Sequence, residues 1–231
     1  MKRAIGMLMV ARRPSFSPTD IAGLKLWLKA DSLVLSDNDP VSTWADSSGL
    51  GNNVTGAGGA RPLYKTNIQN GLPAIRFDGT DDTLTGTFTI THGDGFAVCN
   101  FNSAGNFPDY NGLYITQGGT LISDNFFGGD GSGSTNLYLP VAGYAYNSIR
   151  INKVNTLNFS PLTTTKLLAG VSGGIGAAPI SKTSINIGNN PGAAGRFWNG
   201  DIFEIIVYDS TLSTTDRGKV EDYLNAKYLL F

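Results

Sequence analysis

Acidic and aromatic side chains carry most of the chemistry this sequence could do. The densest acidic stretch is Asp78-Gly-Thr-Asp-Asp82. Ca²⁺ takes about six to eight oxygen ligands, so Asp78, Asp81 and Asp82 are candidate calcium ligands. The spacing lacks the longer calcium-loop pattern, and Asp with Gly also suits a tight turn between strands. The turn is the preferred reading, and no cofactor is expected. A second set is aromatic. Phe126 and Phe127 border the Gly-rich segment 128–134, Tyr138 follows it, and Tyr144 and Tyr146 share one face of an expected strand. Exposed rings beside Asn and Asp side chains grip sugars by stacking and planar hydrogen bonds. Phe126, Phe127, Tyr138, Tyr144 and Tyr146 are therefore the candidate glycan contacts. Core filling is the competing assignment, because alternating aromatics on a sandwich strand commonly point inward.

Other chemistries are narrowed by scarcity. His92 is the only histidine, which rules out a zinc site built on several histidines of one chain. A Ser-His-Asp triad would have to use it, from a turn-like THGDG. Cys99 is the only cysteine, so no disulfide framework forms and the residue reads as a small core side chain. The Gly-rich segment lacks the Gly-Lys-Ser/Thr ending of a phosphate cradle. Glu204 and Glu221 are the only glutamates.

The elements that must position these residues are mostly strands. Asp201 to Tyr208 is apolar except for Glu204, which predicts an interior strand covered on both faces. Alternation places Ile202, Glu204, Ile206 and Tyr208 on one face and Phe203, Ile205 and Val207 on the other. Asn199-Gly200 marks the turn before it. Ser213 then opens a capping box with Asp216, and Val220, Tyr223, Leu224 and Lys227 or Tyr228 recur at helical spacing. Further strands are expected at 24–30, 74–77, 83–90, 96–101, 112–117, 121–127, 137–141, 144–152, 166–171 and 184–188. Trp44 reads as the buried anchor of a long loop over 31–60. Many short strands with turn signals between them, and one short terminal helix, predict an all-β, two-sheet antiparallel sandwich.

The chain has 231 residues, 30 of them glycine, with 15% charged residues and a net charge of −1. That suits one large β domain over 21–231 and excludes disorder, and nothing in it points to nucleic acid. Lys2, Arg3, Arg12 and Arg13 supply 4 of the 17 basic residues, leaving 13 against 18 acidic ones, or −5, for the remainder. Residues 1–20 thus read as a basic arm with an apolar patch that includes Ile5 and Leu8. The patch is too short to span a bilayer, and no membrane insertion is expected. A signal peptide is the alternative reading of this start.

Three segments together resemble a known family. They are Ile21-Ala-Gly-Leu-Lys-Leu-Trp-Leu-Lys-Ala-Asp-Ser, Val41-Ser-Thr-Trp-Ala-Asp-Ser-Ser-Gly and Pro73-Ala-Ile-Arg-Phe-Asp-Gly-Thr-Asp-Asp, and they precede the strand-turn-helix ending. The order resembles phage-associated concanavalin A-like (laminin G-like) lectin domains over roughly residues 18–90 and 195–228. Lys29 stands where that family often has Asp. The resemblance implies a concanavalin A-like jelly roll. Related glucanases carry two glutamates in a Glu-x-Asp-x-x-Glu arrangement, which is absent here. The expectation is therefore a non-enzymatic virion protein, either capsid-decorating or tail-associated, or a host-glycan reader. Its arm would bind other virion proteins through Lys2, Arg3, Ile5, Leu8, Arg12 and Arg13. A homo-oligomer such as a trimer is expected with it. The alternative is a secreted bacterial glycan-binding or glycan-cleaving module.

Overall fold

The computed structural model describes residues 16–103, 105–117, 125–131, 133–139, 146–172, 180–192 and 194–231. In chain order the strands are β1 (Leu24–Lys29), β2 (Thr43–Trp44), β3 (Val54–Thr55), β4 (Leu63–Gln69), β5 (Leu72–Asp78), β6 (Leu84–His92) and β7 (Gly95–Cys99). They continue as β8 (Gly112–Gln117), β9 (Asn125–Gly128), β10 (Ser148–Ile151), β11 (Val154–Asn155), β12 (Lys166–Val171), β13 (Ile180–Ile187) and β14 (Asn199–Tyr208). One helix, α1 (Thr214–Tyr228), follows. Two antiparallel sheets pack as a jelly-roll-like sandwich. The eight-stranded sheet runs β11-β10-β12-β7-β14-β5-β4, with β1 also paired to β14. The six-stranded sheet runs β2-β3-β6-β13-β8-β9.

β14 is interior, flanked by β7, β5 and β1, because its apolar side chains need cover on both faces. Ile202, Ile205 and Val207 face the core between the sheets. Phe203, Ile206 and Tyr208 face a second core closed by Val220, Leu224 and Tyr228 of α1. Strict alternation would have put Ile202 with Ile206 and Phe203 with Ile205. A register shift against β7 between Ile202 and Glu204 inserts an extra residue and exchanges the two side chains.

Ion pairs reach from α1 to the eight-stranded sheet and its edge, among them Asp222 with Lys153 in the β10–β11 turn. Lys227 meets Glu204 at 2.7 Å, Arg217 meets Asp94 at 2.9 Å, and Arg150 meets Glu221 at 2.8 Å. The helix begins at Ser213, whose Oγ accepts the Asp216 N–H (3.0 Å) and donates to the Asp216 carboxylate. Residues 16–20, assigned to the arm from sequence, sit on this body. Pro18 is buried and its carbonyl accepts from the Tyr208 hydroxyl at 2.9 Å. Phe16 lies edge-on to Tyr223 at 6.2 Å. The arm residues Lys2, Arg3, Ile5, Leu8, Arg12 and Arg13 lie outside the described residues.

Candidate functional site

Three loops meet at one end of the sandwich: residues 100–111 after β7, 129–139 after β9, and 188–198 between β13 and β14. Gly188 starts the third with φ +81°, and a Cβ there would lie 2.1 Å from the Phe77 ring, so only glycine fits. Backbone bonds tie the loops together. The Phe107 N–H donates to the Ser134 carbonyl (2.8 Å), Gly129 to Asn111 (3.1 Å), and Gly112, where the first loop enters β8, to the Arg196 carbonyl of the third (3.2 Å). Side-chain amides add to this: Asn190 donates to the Tyr110 carbonyl (3.0 Å) and Asn111 to the Phe197 carbonyl (2.7 Å). The Gly-rich segment 128–134 is thus held at Gly129, at Asp130 through the Asn136 carbonyl, and at Ser134. Beneath the loops, Phe101, Phe107, Phe159 and Trp198 pack ring on ring with centroids 4.9–6.5 Å apart. A surface built this way is set before any ligand arrives.

On that surface four side chains converge. Tyr110 and Tyr138, both half-buried, meet edge to face at 5.2 Å. The Arg196 guanidinium lies 4.8 Å from the Tyr110 ring centroid, a cation–π contact, and its Nε donates to Asp109 Oδ2 at 3.2 Å. Asp109 Oδ1 accepts the Tyr110 N–H at 2.7 Å. That backbone bond, and then Arg196, hold the Asp109 carboxyl below the usual carboxylate range. Asp109 is therefore an acceptor at neutral pH, unsuited to donating a proton. Gly131, at φ +76°, lets the second loop approach Tyr110; a Cβ would stand 3.1 Å from its ring. Half-exposed rings, an ionised acceptor and a planar donor are the groups that recognise the C–H faces and hydroxyls of a polyol.

Of the aromatics singled out from sequence, Tyr138 belongs to this cluster. Phe127 and Tyr146 do not: both are buried and stack on each other at 4.9 Å inside the core. The Tyr146 hydroxyl is hydrogen-bonded to that of Tyr114, and burial pushes both phenols up. These two rings face inward because the sandwich interior needs large apolar side chains, so they cannot stack on a sugar. The Phe126 side chain and Tyr144 lie outside the described residues.

Asp78, Asp81 and Asp82 do come together, with carboxylate oxygens within 4.8 Å of one another. Their bonds are those of a turn. Asp78 Oδ1 accepts the Thr80 N–H (2.7 Å), and Asp82 Oδ2 accepts the Asp78 N–H (2.9 Å). Burial, with the neighbouring carboxylates adding to it, pushes the Asp82 carboxyl up to about 6. Trp44 is a buried anchor in β2, as expected, with its Nε1 unpartnered among the described residues. Cys99 is buried in β7.

The glutamates are structural. Glu204 is 0% exposed and accepts from Trp27 Nε1 (2.6 Å), Tyr223 Oη (3.0 Å), Lys227 Nζ (2.7 Å) and Tyr228 Oη (2.9 Å). Glu221 is buried against Arg150. Neither carboxylate reaches a surface where a glycosidic bond could lie.

Sequence reasoning missed Asp109, Tyr110 and Arg196. Pro108-Asp-Tyr-Asn reads as a turn, and Arg196 as a lone charge after Gly195. Only the fold joins them, across 87 positions.

No family model and no curated protein sequence matches the chain. Similar solved structures include a Trypanosoma rangeli sialidase, 11% identical with a TM-score of 0.48, covering 87% of this chain and 33% of the sialidase. A GH54 α-L-arabinofuranosidase is 14% identical with a TM-score of 0.46, covering 82% of this chain and 51% of that one. The chain thus spans a third to a half of the proteins it resembles. These neighbours are glycosidases, with no virion protein among those named, and this corrects the expectation of a non-enzymatic virion protein. At these identities and TM-scores neither named activity is carried across.

Proposed function

We propose that this chain is a glycan-binding module whose recognition face is the three-loop cluster of Asp109, Tyr110, Tyr138 and Arg196. One observation carries the reading: two half-exposed tyrosine rings share a fixed loop surface with an ionised Asp–Arg couple. Pyranose and furanose rings offer apolar C–H faces that stack on aromatic rings. Their hydroxyls pair with carboxylate acceptors and guanidinium donors. The loops are cross-bonded before binding, so little ordering entropy opposes capture.

The test is affinity electrophoresis and calorimetry against a panel of polysaccharides. Tyr138→Ala and Arg196→Ala should each weaken the bound glycan by about tenfold. Val34→Ser, at a side chain that is 99% exposed on the connection between β1 and β2 and belongs to none of the three loops, should bind as the wild type does. Reducing-end release on the same panel reads out whether binding leads to cleavage. The proposal fails if no polysaccharide binds, or if Tyr138→Ala and Arg196→Ala both bind at wild-type strength.

A further inference from the structure

Resting on that reading, we infer that the loop face selects neutral, hydroxyl-rich glycans and rejects acidic ones, because its single cation is already neutralised by Asp109. Residues 100–111 carry one side chain charged at neutral pH, Asp109; residues 129–139 carry Asp130; residues 188–198 carry Arg196. One positive and two negative charges leave a net of −1 on the three loops. The Arg196–Asp109 contact is 3.2 Å, and the guanidinium is held in place a second time by the Tyr110 ring at 4.8 Å. A uronate, sialate or sulfate would have to displace Asp109 from Arg196 and then sit beside Asp109, on loops whose net charge is already negative. Like charges at that range disfavour the acidic ligand.

A neutral sugar meets no such opposition. Asp109 can accept hydroxyl protons while still bonded to Arg196, since a carboxylate has about four lone-pair sites. The rest of the loop surface is uncharged and polar, with Asn102, Asn106 and Asn136 exposed and Ser134 and Thr135 half-exposed. The pairing therefore works as a selector. It keeps the planar donor of an arginine while cancelling its long-range attraction for anions.

The experiment measures the wild-type protein against immobilised neutral polymers (a glucan, a xylan, an arabinan) and acidic ones (polygalacturonate, alginate, polysialic acid). Measurements are made at low and high ionic strength. At least one neutral polymer should bind about tenfold more tightly than any acidic one, with affinity unchanged by salt. Asp109→Asn removes the counter-ion and should shift the acidic-to-neutral affinity ratio by about tenfold toward acidic polymers. The acidic component should then be lost in high salt. Wild-type preference for an acidic polymer overturns the selectivity while the glycan-binding reading survives. An unchanged ratio in Asp109→Asn shows that the pairing is not the selector and overturns it too. Binding of neither class removes both.

Discussion

Replacing Glu204 with Gln should cost about 3 kcal/mol of folding stability, because the side chain keeps its shape and loses the chemistry its partners need. The wild-type carboxylate is fully buried and takes four donors, two on each oxygen. Trp27 Nε1 can only donate, so the amide oxygen of the replacement must take the Oε1 position, facing Trp27 and Tyr223. The amide NH₂ then faces Lys227 and the Tyr228 hydroxyl. Tyr228 can rotate its proton and accept. Lys227 cannot, and it is left with Asp31 at 2.8 Å as its remaining carboxylate. One hydrogen bond is lost, one is reversed, and a buried charge pair is broken. Breaking such a pair from one side costs about 3–5 kcal/mol, and the retained Asp31 contact argues for the lower end. Urea unfolding followed by tryptophan fluorescence reads the loss, with Trp27 reporting on the site itself. For a chain of this size the melting temperature should fall by roughly 6–12 °C. Adding Lys227→Met to the variant should recover more than about 1 kcal/mol of the expected sum. A loss below about 1 kcal/mol, or strict additivity, would refute the claim that this carboxylate clamps α1 to the sheet.

Three further outcomes follow from the same packing. Ile205→Ala, at a fully buried position of β14, should cost about 2–5 kcal/mol, and a loss under about 0.5 would show the strand to be peripheral. Lys166 is 5% exposed, lies 5.5 Å from the Phe159 ring centroid, and has its ammonium pushed below the ordinary value of 10.5 by burial. Lys166→Met should stabilise the fold by about 1–3 kcal/mol at neutral pH. That gain should shrink as pH rises toward 10.5, because the wild type binds fewer protons folded than unfolded and so gains stability across that window. Asp82 has the opposite sign of linkage. Its carboxyl is raised from 3.8 to about 6, so the folded wild type holds more protons and loses stability as pH climbs between those values. Asp82→Asn should therefore stabilise above about pH 6 and be close to neutral below 3.8, and equal melting temperatures at both pH values would contradict this.

The ends of the chain were the most legible. β14 has an unbroken apolar run and α1 has a cap followed by helical spacing, so local chemistry and global burial agree. β4 was missed because Leu63-Tyr-Lys-Thr-Asn-Ile-Gln is a mixed-polarity edge strand. Its outer side is covered by hydrogen bonds: the Asn38 N–H donates to the Tyr64 carbonyl, the Tyr64 N–H to the Asp39 carbonyl, and the Thr66 N–H to the Asp37 carboxylate. Nothing local marks the bulge at Ile202–Glu204 either, since it is set by pairing with β7. In the site, Tyr138 could be found because a ring after a glycine-rich segment stands out. Phe127 and Tyr146 looked equivalent to it, because alternation says which residues share a face and is silent on which face is inside. The Asp109–Arg196 couple had no sequence signal beyond its two charges.

The three loops spring from strands of both sheets: β7 and β14 belong to one, β8, β9 and β13 to the other. Their mutual hydrogen bonds therefore close one end of the sandwich like a seam. A change of length in any one loop pulls on the other two, so this surface cannot diversify one loop at a time. New specificity would have to arise from coordinated replacement of all three loops, or from single side-chain exchanges that leave the seam closed. The same seam makes occupancy mechanical: a glycan bridging the loops would hold the two sheets together. Resistance of the whole sandwich to opening should then rise with ligand concentration, although no ligand atom touches the core.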